Sequence, residues 1–298
     1  MNGIICVNKP QGWTSFDVVA KVRGIARTKK VGHAGTLDPM ATGVLPLFFG
    51  NATKACDVMP NDDKGYFATF QLGLRTDTQD VTGTVLSQEE THITKEQVLE
   101  ILPKFTGDLS QIPPMYSAVW VNGRRLYDLA RSGQEVERQP RSITIKELEL
   151  CSFDEQTQVG QVRVLCSKGT YIRTLCSDMG DSLGCGAALT QLQRYQAGNF
   201  TLEDCYTLEQ LQQMADEGSL EQHVLSVAKV FEQLPKIKLN PVQSSKFRNG
   251  VRLDLNRVYH KQVAGFHKVF DNENQFMGLA SLDLEKMELV IEKMFPQN

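Results

Sequence analysis

The segment Gly32–Gly43, which is rich in glycine, threonine and proline, constrains the fold more than any other part of this chain. Glycine allows a close backbone approach, so this composition favours a shaped loop over a helix or strand. The loop carries one imidazole, His33, and one carboxylate, Asp38, and Pro39 fixes the backbone directly after the acid. The apolar run Val44–Phe49 predicts a buried strand that anchors the loop. A single acid on an anchored loop suits a nucleophile or general base; the simpler alternative is a turn in which Asp38 only bonds neighbouring amides.

The composition is that of an ordinary globular protein, with 298 residues, 41% hydrophobic and 22% charged. This length accommodates one large domain and one small domain. No apolar run approaches the ~20 residues that span a bilayer, and the segment Met1–Val7 lacks the features of a signal peptide, so we expect a cytoplasmic protein. The cysteines and histidines show no metal-binding spacing, and no phosphate loop or dinucleotide fingerprint is present. We therefore expect no metal and no cofactor.

Positive charge is clustered along a chain whose net charge is −3. Residues 21–30 contain five basic side chains and no acid, residues 124–141 contain five arginines, and residues 246–252 contain three more basic side chains. Such clusters can form a divided footprint on a folded RNA, because phosphate binding depends on local charge. The alternative is ordinary solvated surface.

Hydrophobic periodicity and capping signals predict mixed helices and strands up to about residue 234. Thr14 or Ser15 is expected to cap a helix that runs to about Arg27, and a capping box at Thr94 is expected to open a helix to about Phe105. The remaining predicted elements are strands at 3–10, 64–73, about 142–153, 160–167 and 187–195, and helices from about 170 and near 207–217.

Two regions depart from this pattern. Residues 112–141 form a polar excursion rich in proline and arginine, with a predicted hairpin turn at Asn122-Gly123 and a short helix after it. Beyond Leu234-Pro235 the sequence predicts only short strands and turns. We therefore expect a large domain over 1–234, which includes the excursion, and a small β domain over 235–298.

Two further residues are suited to chemistry. Tyr66 lies at the start of the predicted strand, where its ring can face a planar ligand or can simply be a core aromatic. Arg173 lies on the first turn of a predicted helix, where the helix dipole disfavours a cation. Arg173 can therefore be expected to pair with a catalytic carboxylate such as Asp38, although it can also be a solvent-exposed arginine.

Taken together, these segments resemble the bacterial TruB family of tRNA pseudouridine synthases. The matching motifs follow the order and approximate spacing of the family over about the first 200 residues; they are Asn8–Gly12, Gly32–Gly43, Arg75–Asp80, Gln111–Ala118 and Ser167–Thr174. The resemblance implies an α+β fold with a large catalytic domain, built on a mixed, mainly antiparallel sheet flanked by helices, and a small C-terminal PUA-like β-barrel. It implies isomerisation of uridine 55 in the T loop of tRNA by base flipping, with the T stem-loop as partner and a monomeric enzyme.

The resemblance also implies roles for individual residues. Asp38 is the expected catalytic aspartate, which starts the reaction by adding to the sugar or base or by removing a ribose proton. The base pocket is expected to contain Tyr66, Tyr171, Arg173 and Leu192. Contacts to RNA are expected at Lys9, Lys29, Lys30, His33, Asp80, Arg124, Arg125 and Arg131.

The chain departs from the family pattern at two places. Arg124-Arg125 replaces the lysine pair that the family often has, which keeps the charge but changes the donor geometry. Gly65 stands where some relatives have arginine, which removes one candidate phosphate contact.

Two alternative functions are compatible with parts of this pattern. A noncatalytic RNA-binding or tRNA-folding protein would explain the basic clusters and leave Asp38 structural. Glycoside hydrolysis would need two facing carboxylates, whereas only one acid occupies a suitable loop. Isomerisation of uridine is the favoured hypothesis.

Overall fold

A computed structural model describes residues 1–121, 123–259 and 265–296. The strands are β1 (Gly3–Lys9), β2 (Val31–His33), β3 (Thr42–Phe49), β4 (Lys64–Leu72), β5 (Leu74–Thr76), β6 (Val85–Gln88), β7 (Gly107–Gln111), β8 (Trp120–Val121), β9 (Arg124–Arg125), β10 (Arg141–Asp154), β11 (Val159–Cys166), β12 (Ala187–Ala197), β13 (Phe200–Thr201), β14 (Cys205–Tyr206), β15 (Lys236–Lys238), β16 (Leu253–Asp254), β17 (Phe266–Phe270), β18 (Phe276–Asp283) and β19 (Glu288–Met294). The α-helices are α1 (Ser15–Ile25), α2 (Lys95–Ile101), α3 (Leu126–Arg131), α4 (Ile172–Ser182), α5 (Leu208–Asp216) and α6 (Pro241–Arg248).

Ten strands form one large sheet in the order β14-β1-β3-β12-β4-β11-β10-β7, with β2 paired to β3 and β13 paired to β12. Among its described strands, β1 pairs in parallel with β14 and β3 in parallel with β12, and the other pairings are antiparallel. The predicted α+β class with a mixed, mainly antiparallel sheet is confirmed.

The two halves of the sheet meet in a short parallel pairing. Strands β3 and β12 share two residue pairs, Thr42 with Gln193 and Gly43 with Arg194. Gly43 has φ +106°, and a Cβ there would lie 2.2 Å from the backbone oxygen of Arg194, so only glycine fits this crossing. The Gly32–Gly43 loop therefore enters β3 at the join between the two halves of the sheet.

Helices cover one face of each half of the sheet. On the β1–β3 half, α1 buries Val18 and Val22 against Ile5 and Leu47. On the other half, α2 and α4 pack over β4, β10, β11 and β12 in a second core, which also contains Leu37 and Met40 of the loop. The loop leads into β3 of one half of the sheet. Its residues Leu37 and Met40 nevertheless belong to the core of the other half.

The predicted elements agree closely with the structure. Thr14 caps α1 through a reciprocal capping box with Asp17, and Thr94 caps α2 in the same way with Gln97. The hairpin predicted in the excursion is present as the antiparallel pair β8–β9, while Asn122 of its turn lies outside the described residues.

A second sheet of five strands, in the order β15-β17-β18-β19-β16, contains the strands beyond residue 235. Helix α6 was not predicted, although Asn240 caps it through a capping box with Gln243 and Pro241 begins it. The two sheets share apolar contacts, because Phe276 and Phe295 lie in one core with Ile4 and Phe48 of the large sheet. The small sheet therefore packs on the face of β1 and β3 that α1 leaves free.

Among the described residues, no helix is both long and apolar enough to cross a bilayer.

Candidate active site

Buried hydrogen bonds hold the Gly32–Gly43 loop in place. The Ser15 hydroxyl donates to the backbone oxygen of Leu37 (3.2 Å) and accepts from the Leu37 amide (2.8 Å). The Gly12 amide donates to the backbone oxygen of Pro39 at 2.8 Å. These bonds fix the backbone on both sides of Asp38, so its carboxylate is held by the start of α1 and by the turn after β1.

Asp38 forms an ion pair with Arg173. The Arg173 Nε lies 2.8 Å from the Asp38 Oδ2, and the two side chains are 5% and 39% exposed. The sequence-based prediction that Arg173 pairs with this carboxylate is confirmed. A buried cation thus lies against a carboxylate that remains accessible from solvent.

The rest of the Arg173 guanidinium is fully engaged. Its Nη1 donates to the backbone oxygen of Thr78 and its Nη2 to that of Tyr116, both at 2.9 Å. Its Nη1 also lies 3.5 Å from the Asp80 Oδ2. Arg173 therefore joins the Gly32–Gly43 loop, the turn after β5 and the start of the excursion.

Asp80 is a buried carboxylate that faces the Arg173 guanidinium. This burial corrects the expectation that Asp80 contacts RNA. Its side chain is 5% exposed, and its Oδ1 accepts from the Thr78 hydroxyl (2.9 Å) and from the amide and hydroxyl of Thr82. A carboxylate with these partners has no free surface for a ribose or base. Asp80 instead holds Arg173 toward Asp38.

Lys9 also lies beneath the loop rather than on an RNA-facing surface, which corrects the second expectation of this kind. It is 0% exposed, and its Nζ donates to the backbone oxygens of Pro10 (2.9 Å), Trp13 (2.5 Å) and Pro39 (3.3 Å). Burial lowers the pKa of Lys9 to about 8, and the nearby Asp38 carboxylate opposes that shift. Lys9 thus ties the turn after β1 to Pro39, the residue that follows Asp38.

Tyr66 and Leu192 lie on the loop-facing side of β4 and β12. Both are 7% exposed, and Leu192 is paired with Ala68 in the sheet. Burial raises the pKa of Tyr66, so its phenol stays protonated at neutral pH. A neutral hydroxyl can donate a proton or hydrogen bond to a base but is a poor proton acceptor.

Arg194 was not among the predicted site residues. It is paired with Tyr66 across β4 and β12 and is 1% exposed, and its guanidinium donates to the backbone oxygens of Val44 (2.7 Å) and Gly35 (3.0 Å). Its charge partly offsets the effect of burial on the pKa of Tyr66. The period-two alternation of the predicted strand 187–195 places it on the same face as Leu192, which is the signal that could have identified it.

Tyr171 lies immediately before α4, where Gln111 holds its backbone. The Gln111 amide group donates to the Tyr171 oxygen (3.0 Å), and its Oε1 accepts from the Tyr171 amide (2.8 Å). His33 ends β2 and is half-buried. Burial and the Arg194 charge lower the pKa of His33, so its ring is neutral at neutral pH.

The remaining predicted RNA contacts lie on the surface. Lys29 and Lys30 are exposed between α1 and β2, and Arg124 and Arg131 are exposed in the excursion, with Arg125 half-buried. On α6, which precedes β16 of the small sheet, Lys246 is exposed. Arg248 and Arg252, in contrast, form ion pairs with Asp271 and Glu288.

The structure explains the glycine at position 65. A Cβ there would lie 2.4 Å from the ring of Tyr195, which packs against Phe67 with ring centroids 5.0 Å apart and planes tilted by 45°. The Arg163 guanidinium lies 5.7 Å from the Tyr195 ring centroid and pairs with Glu147 and Glu149. Tyr195 therefore occupies the space that a side chain at position 65 would need.

Within residues 1–121, 123–259 and 265–296, no three His, Cys, Asp or Glu side chains cluster in a way that could hold a metal ion.

Two family models match adjacent parts of the chain. Residues 23–172 match the TruB family pseudouridylate synthase N-terminal domain, and residues 173–232 match the tRNA pseudouridylate synthase B C-terminal domain. The tRNA pseudouridine synthase B of Clostridium perfringens is 44% identical over 292 residues, which covers 97% of this chain and 98% of that protein. The corresponding protein of Pseudomonas fluorescens is 41% identical over 285 residues, covering 95% and 92%.

Solved structures share the fold over the whole chain. A chain from a Cbf5–Nop10–Gar1 complex matches with a TM-score of 0.76 and 23% identity, covering 99% of this chain and 85% of that chain. A chain from an H/ACA ribonucleoprotein bound to a substrate RNA matches with a TM-score of 0.75 and 22% identity over similar shares. The predicted pseudouridine synthase fold with a PUA-like C-terminal sheet is confirmed. Fold and site together define an isomerase of the pseudouridine synthase class, and the chain belongs to the TruB family of pseudouridylate synthases.

Proposed function

We propose that this protein converts uridine 55 in the T loop of tRNA to pseudouridine and that Asp38 is its catalytic residue. The observation that carries the proposal is the ion pair between the half-exposed Asp38 and the buried Arg173, on the loop motif of the TruB family. The names of the relatives at 40–44% identity support tRNA as the substrate.

The reaction breaks the N1–C1′ bond of uridine, rotates the uracil and joins its C5 to C1′. N1 gains a proton and C5 loses one, so the isomerisation is redox-neutral. Asp38 can act by adding to the sugar or base or by removing a ribose proton, and both routes require an ionised carboxylate that reaches the substrate. The guanidinium of Arg173 is the counter-ion of the Asp38 carboxylate, and the bonds of Ser15, Lys9 and Gly12 hold the loop backbone around Asp38 in position.

The base pocket is completed by three side chains around Asp38. Tyr66 supplies an aromatic face and a protonated hydroxyl, and Leu192 supplies an apolar surface beneath the uracil. Tyr171 borders the pocket at the start of α4, where Gln111 fixes it. The target nucleotide must leave its stack to reach these groups, which costs a few kcal/mol.

Exposed cations on two sides of the pocket are proposed to offset that cost by contacting the RNA. Lys29 and Lys30 follow α1, and Arg124, Arg125 and Arg131 lie on the excursion. His33, neutral and near the catalytic loop, is proposed to contact a base of the T loop.

The domain ranges 1–234 and 235–298 are part of the proposal, with the small sheet acting as a second RNA-binding surface. We also propose that the protein acts as a cytoplasmic monomer. Because Arg248 and Arg252 are already paired with carboxylates, the small sheet should neutralise fewer phosphates than its basic composition indicates.

The decisive experiment is incubation of an unmodified tRNA transcript with the protein, followed by site-resolved detection of pseudouridine. We expect modification at position 55 and none in a transcript with cytidine at that position. Modification at another uridine would overturn the assignment of the position. If the wild-type protein accelerates tRNA folding without forming pseudouridine, a tRNA-folding role replaces the catalytic one.

A further inference from the structure

The excursion carries a column of alternating aromatic rings and guanidinium groups. The Arg125 guanidinium lies 4.9 Å from the ring centroid of Trp120 and 6.0 Å from that of Tyr127. The Arg131 guanidinium lies 5.6 Å from the Tyr127 centroid. Along the order Trp120, Arg125, Tyr127, Arg131, each guanidinium thus lies within 6.0 Å of a neighbouring ring centroid.

Trp120 is the open end of this stack. The ring is 61% exposed, although tryptophan is a side chain that proteins usually bury for most of its surface. Arg125 covers one face of the ring and is itself held by a hydrogen bond from its Nη1 to the backbone oxygen of Ala118 at 3.3 Å. The ring is therefore supported from behind and can accept another planar group on its exposed side.

The column is joined directly to the active site. The backbone oxygen of Tyr116 accepts from Arg173, and the Tyr116 hydroxyl donates to Asp77 at 3.2 Å. The Tyr127 amide donates to the backbone oxygen of Ser117 at 3.1 Å, which closes the hairpin that carries Trp120. Trp120 follows Tyr116 by four residues, so their Cα atoms are at most roughly 14 Å apart.

We propose that Trp120 is a stacking platform for an unpaired nucleobase of the substrate RNA, next to the nucleotide that enters the pocket. The proposal rests on the proposed function and adds a contact of a different kind from the phosphate contacts of the arginines. A nucleobase fits because it offers a π face to the ring, while the exposed Arg124 and Arg131 place positive charge where the RNA backbone must pass.

Tryptophan fluorescence tests this contact directly, because the chain has two tryptophans, Trp13 and Trp120. In a Trp13→Phe protein, which keeps the backbone oxygen that accepts from Lys9, Trp120 is the sole emitter. Titration with an unmodified tRNA transcript should quench this emission in parallel with binding measured by filter retention. Full binding without a change in Trp120 emission would overturn the proposal.

Substitutions distinguish stacking from general hydrophobicity. Trp120→Phe should bind the transcript within about threefold of the wild type, whereas Trp120→Leu should weaken binding about 5- to 150-fold, the range expected for loss of one base–aromatic stack. Neither change should alter the salt dependence of binding, because neither removes a charge. Leu99→Ala, which truncates an exposed apolar side chain on α2, serves as a control with unchanged binding.

Failure of this inference and failure of the proposed function give different results. If the wild type forms pseudouridine but Trp120→Leu binds as tightly as Trp120→Phe, the function stands and the stacking contact is wrong. If the wild type forms no pseudouridine in tRNA, the proposed function is wrong regardless of how Trp120 behaves. If Trp120→Leu binds RNA normally but loses a protein partner, the surface is a protein interface and the stacking proposal is overturned.

Discussion

The cations beneath the catalytic loop differ from those on the excursion in burial and in partners. Lys9, Arg173 and Arg194 are 0%, 5% and 1% exposed, and each is bonded to backbone oxygens or carboxylates. Arg124 and Arg131 are exposed on the excursion.

This difference separates two uses of positive charge within one site. Removing a charge from water is costly unless every donor is satisfied, so buried cations are committed to shaping the protein. Exposed cations keep their hydration and can exchange it for phosphate contacts, which makes their contribution dependent on salt. The comparison predicts that changes beneath the loop affect turnover and stability, whereas changes on the excursion affect affinity and its salt dependence.

The largest effect should come from Asp38→Asn. The amide keeps the shape of the side chain and removes its charge, so pseudouridine formation should fall below detection. Binding of an unmodified tRNA transcript should stay within about tenfold of the wild type, or ~1.4 kcal/mol. Single-turnover assays and filter binding measure the two quantities. Turnover by the folded variant, free of contaminating enzyme, would contradict the catalytic assignment.

Arg173→Lys should have the next largest effect. Lysine keeps the charge but loses the planar fork that reaches Asp38, Thr78 and Tyr116 together, so we expect turnover to fall by roughly 10²-fold through misplacement of the carboxylate. The free energy of unfolding should fall by about 1–3 kcal/mol, because backbone oxygens lose their donors.

Arg163→Lys is the matched control for this change. Arg163 is an arginine on β11 whose partners are the partly exposed Glu147 and Glu149, and we expect its replacement to leave turnover unchanged. An Arg173→Lys protein with the single-turnover rate of Arg163→Lys would show that Arg173 does not position Asp38.

Tyr66→Phe should lower turnover by roughly 10²-fold with little change in affinity, because the buried hydroxyl is protonated and suited to a proton step. If the Tyr66 ring acts only by stacking on the base, Tyr66→Phe should leave the single-turnover rate nearly unchanged and Tyr66→Leu should lower it. Single-turnover rates for both variants separate these roles. A Tyr66→Leu enzyme with the wild-type rate would exclude both.

The smallest effects come from a matched pair of lysines. Lys29→Met should leave the free energy of unfolding unchanged and lower the slope of log affinity against log salt by about 0.9 if Lys29 contacts one phosphate. Lys9→Met should leave that slope unchanged and should destabilise the protein, because three backbone oxygens lose their donor. Salt titrations of tRNA binding and urea unfolding measure both variants; a reduced salt slope for Lys9→Met would show that Lys9 meets RNA after all.

The stability difference at Lys9 should also depend on pH. The pKa of Lys9 is lowered from 10.5 to about 8 in the folded protein, so between these values the unfolded chain binds more protons. Stability from this group therefore rises as the pH increases from about 8 to 10.5. The Lys9→Met protein lacks that gain. Urea unfolding at pH 7 and pH 10 should therefore show a larger difference in the free energy of unfolding between variant and wild type at the higher pH.

Sequence reasoning predicted the elements whose causes are local. The capping boxes at Thr14 and Thr94, the alternation of β4 and the pairing of Arg173 with Asp38 all follow from neighbouring residues or from the helix dipole. Helix α6 was missed because a short segment with one strongly buried aromatic, Phe247, has little periodicity to recognise.

Burial of charge could not be predicted in the same way. The resemblance implied RNA contacts at Lys9 and Asp80, and the residue types gave no sign of their burial, because charged side chains are usually exposed. Lys9 bonds Pro39, which lies 30 positions away in the sequence, and Asp80 faces Arg173, which lies 93 positions away. The acceptor on Pro39 is a backbone oxygen, and every residue type has one, so the sequence cannot identify it. Arg194 was not predicted for the same reason, because its partners are backbone oxygens of the loop and of β3.

The core that joins the two sheets has a consequence for synthesis on the ribosome. Ile4 and Phe48 are fully buried, and Phe276 and Phe295 form part of the core that covers them. About 250 residues separate Phe48 from Phe295. At a synthesis rate of 5–20 residues per second, this face of β1 and β3 therefore stays exposed for roughly 12–50 s before the residues that cover it have been made. We therefore expect the nascent chain to need protection of its first strands, and ribosome-bound chains that end near residue 235 to recruit chaperones more strongly than complete ones.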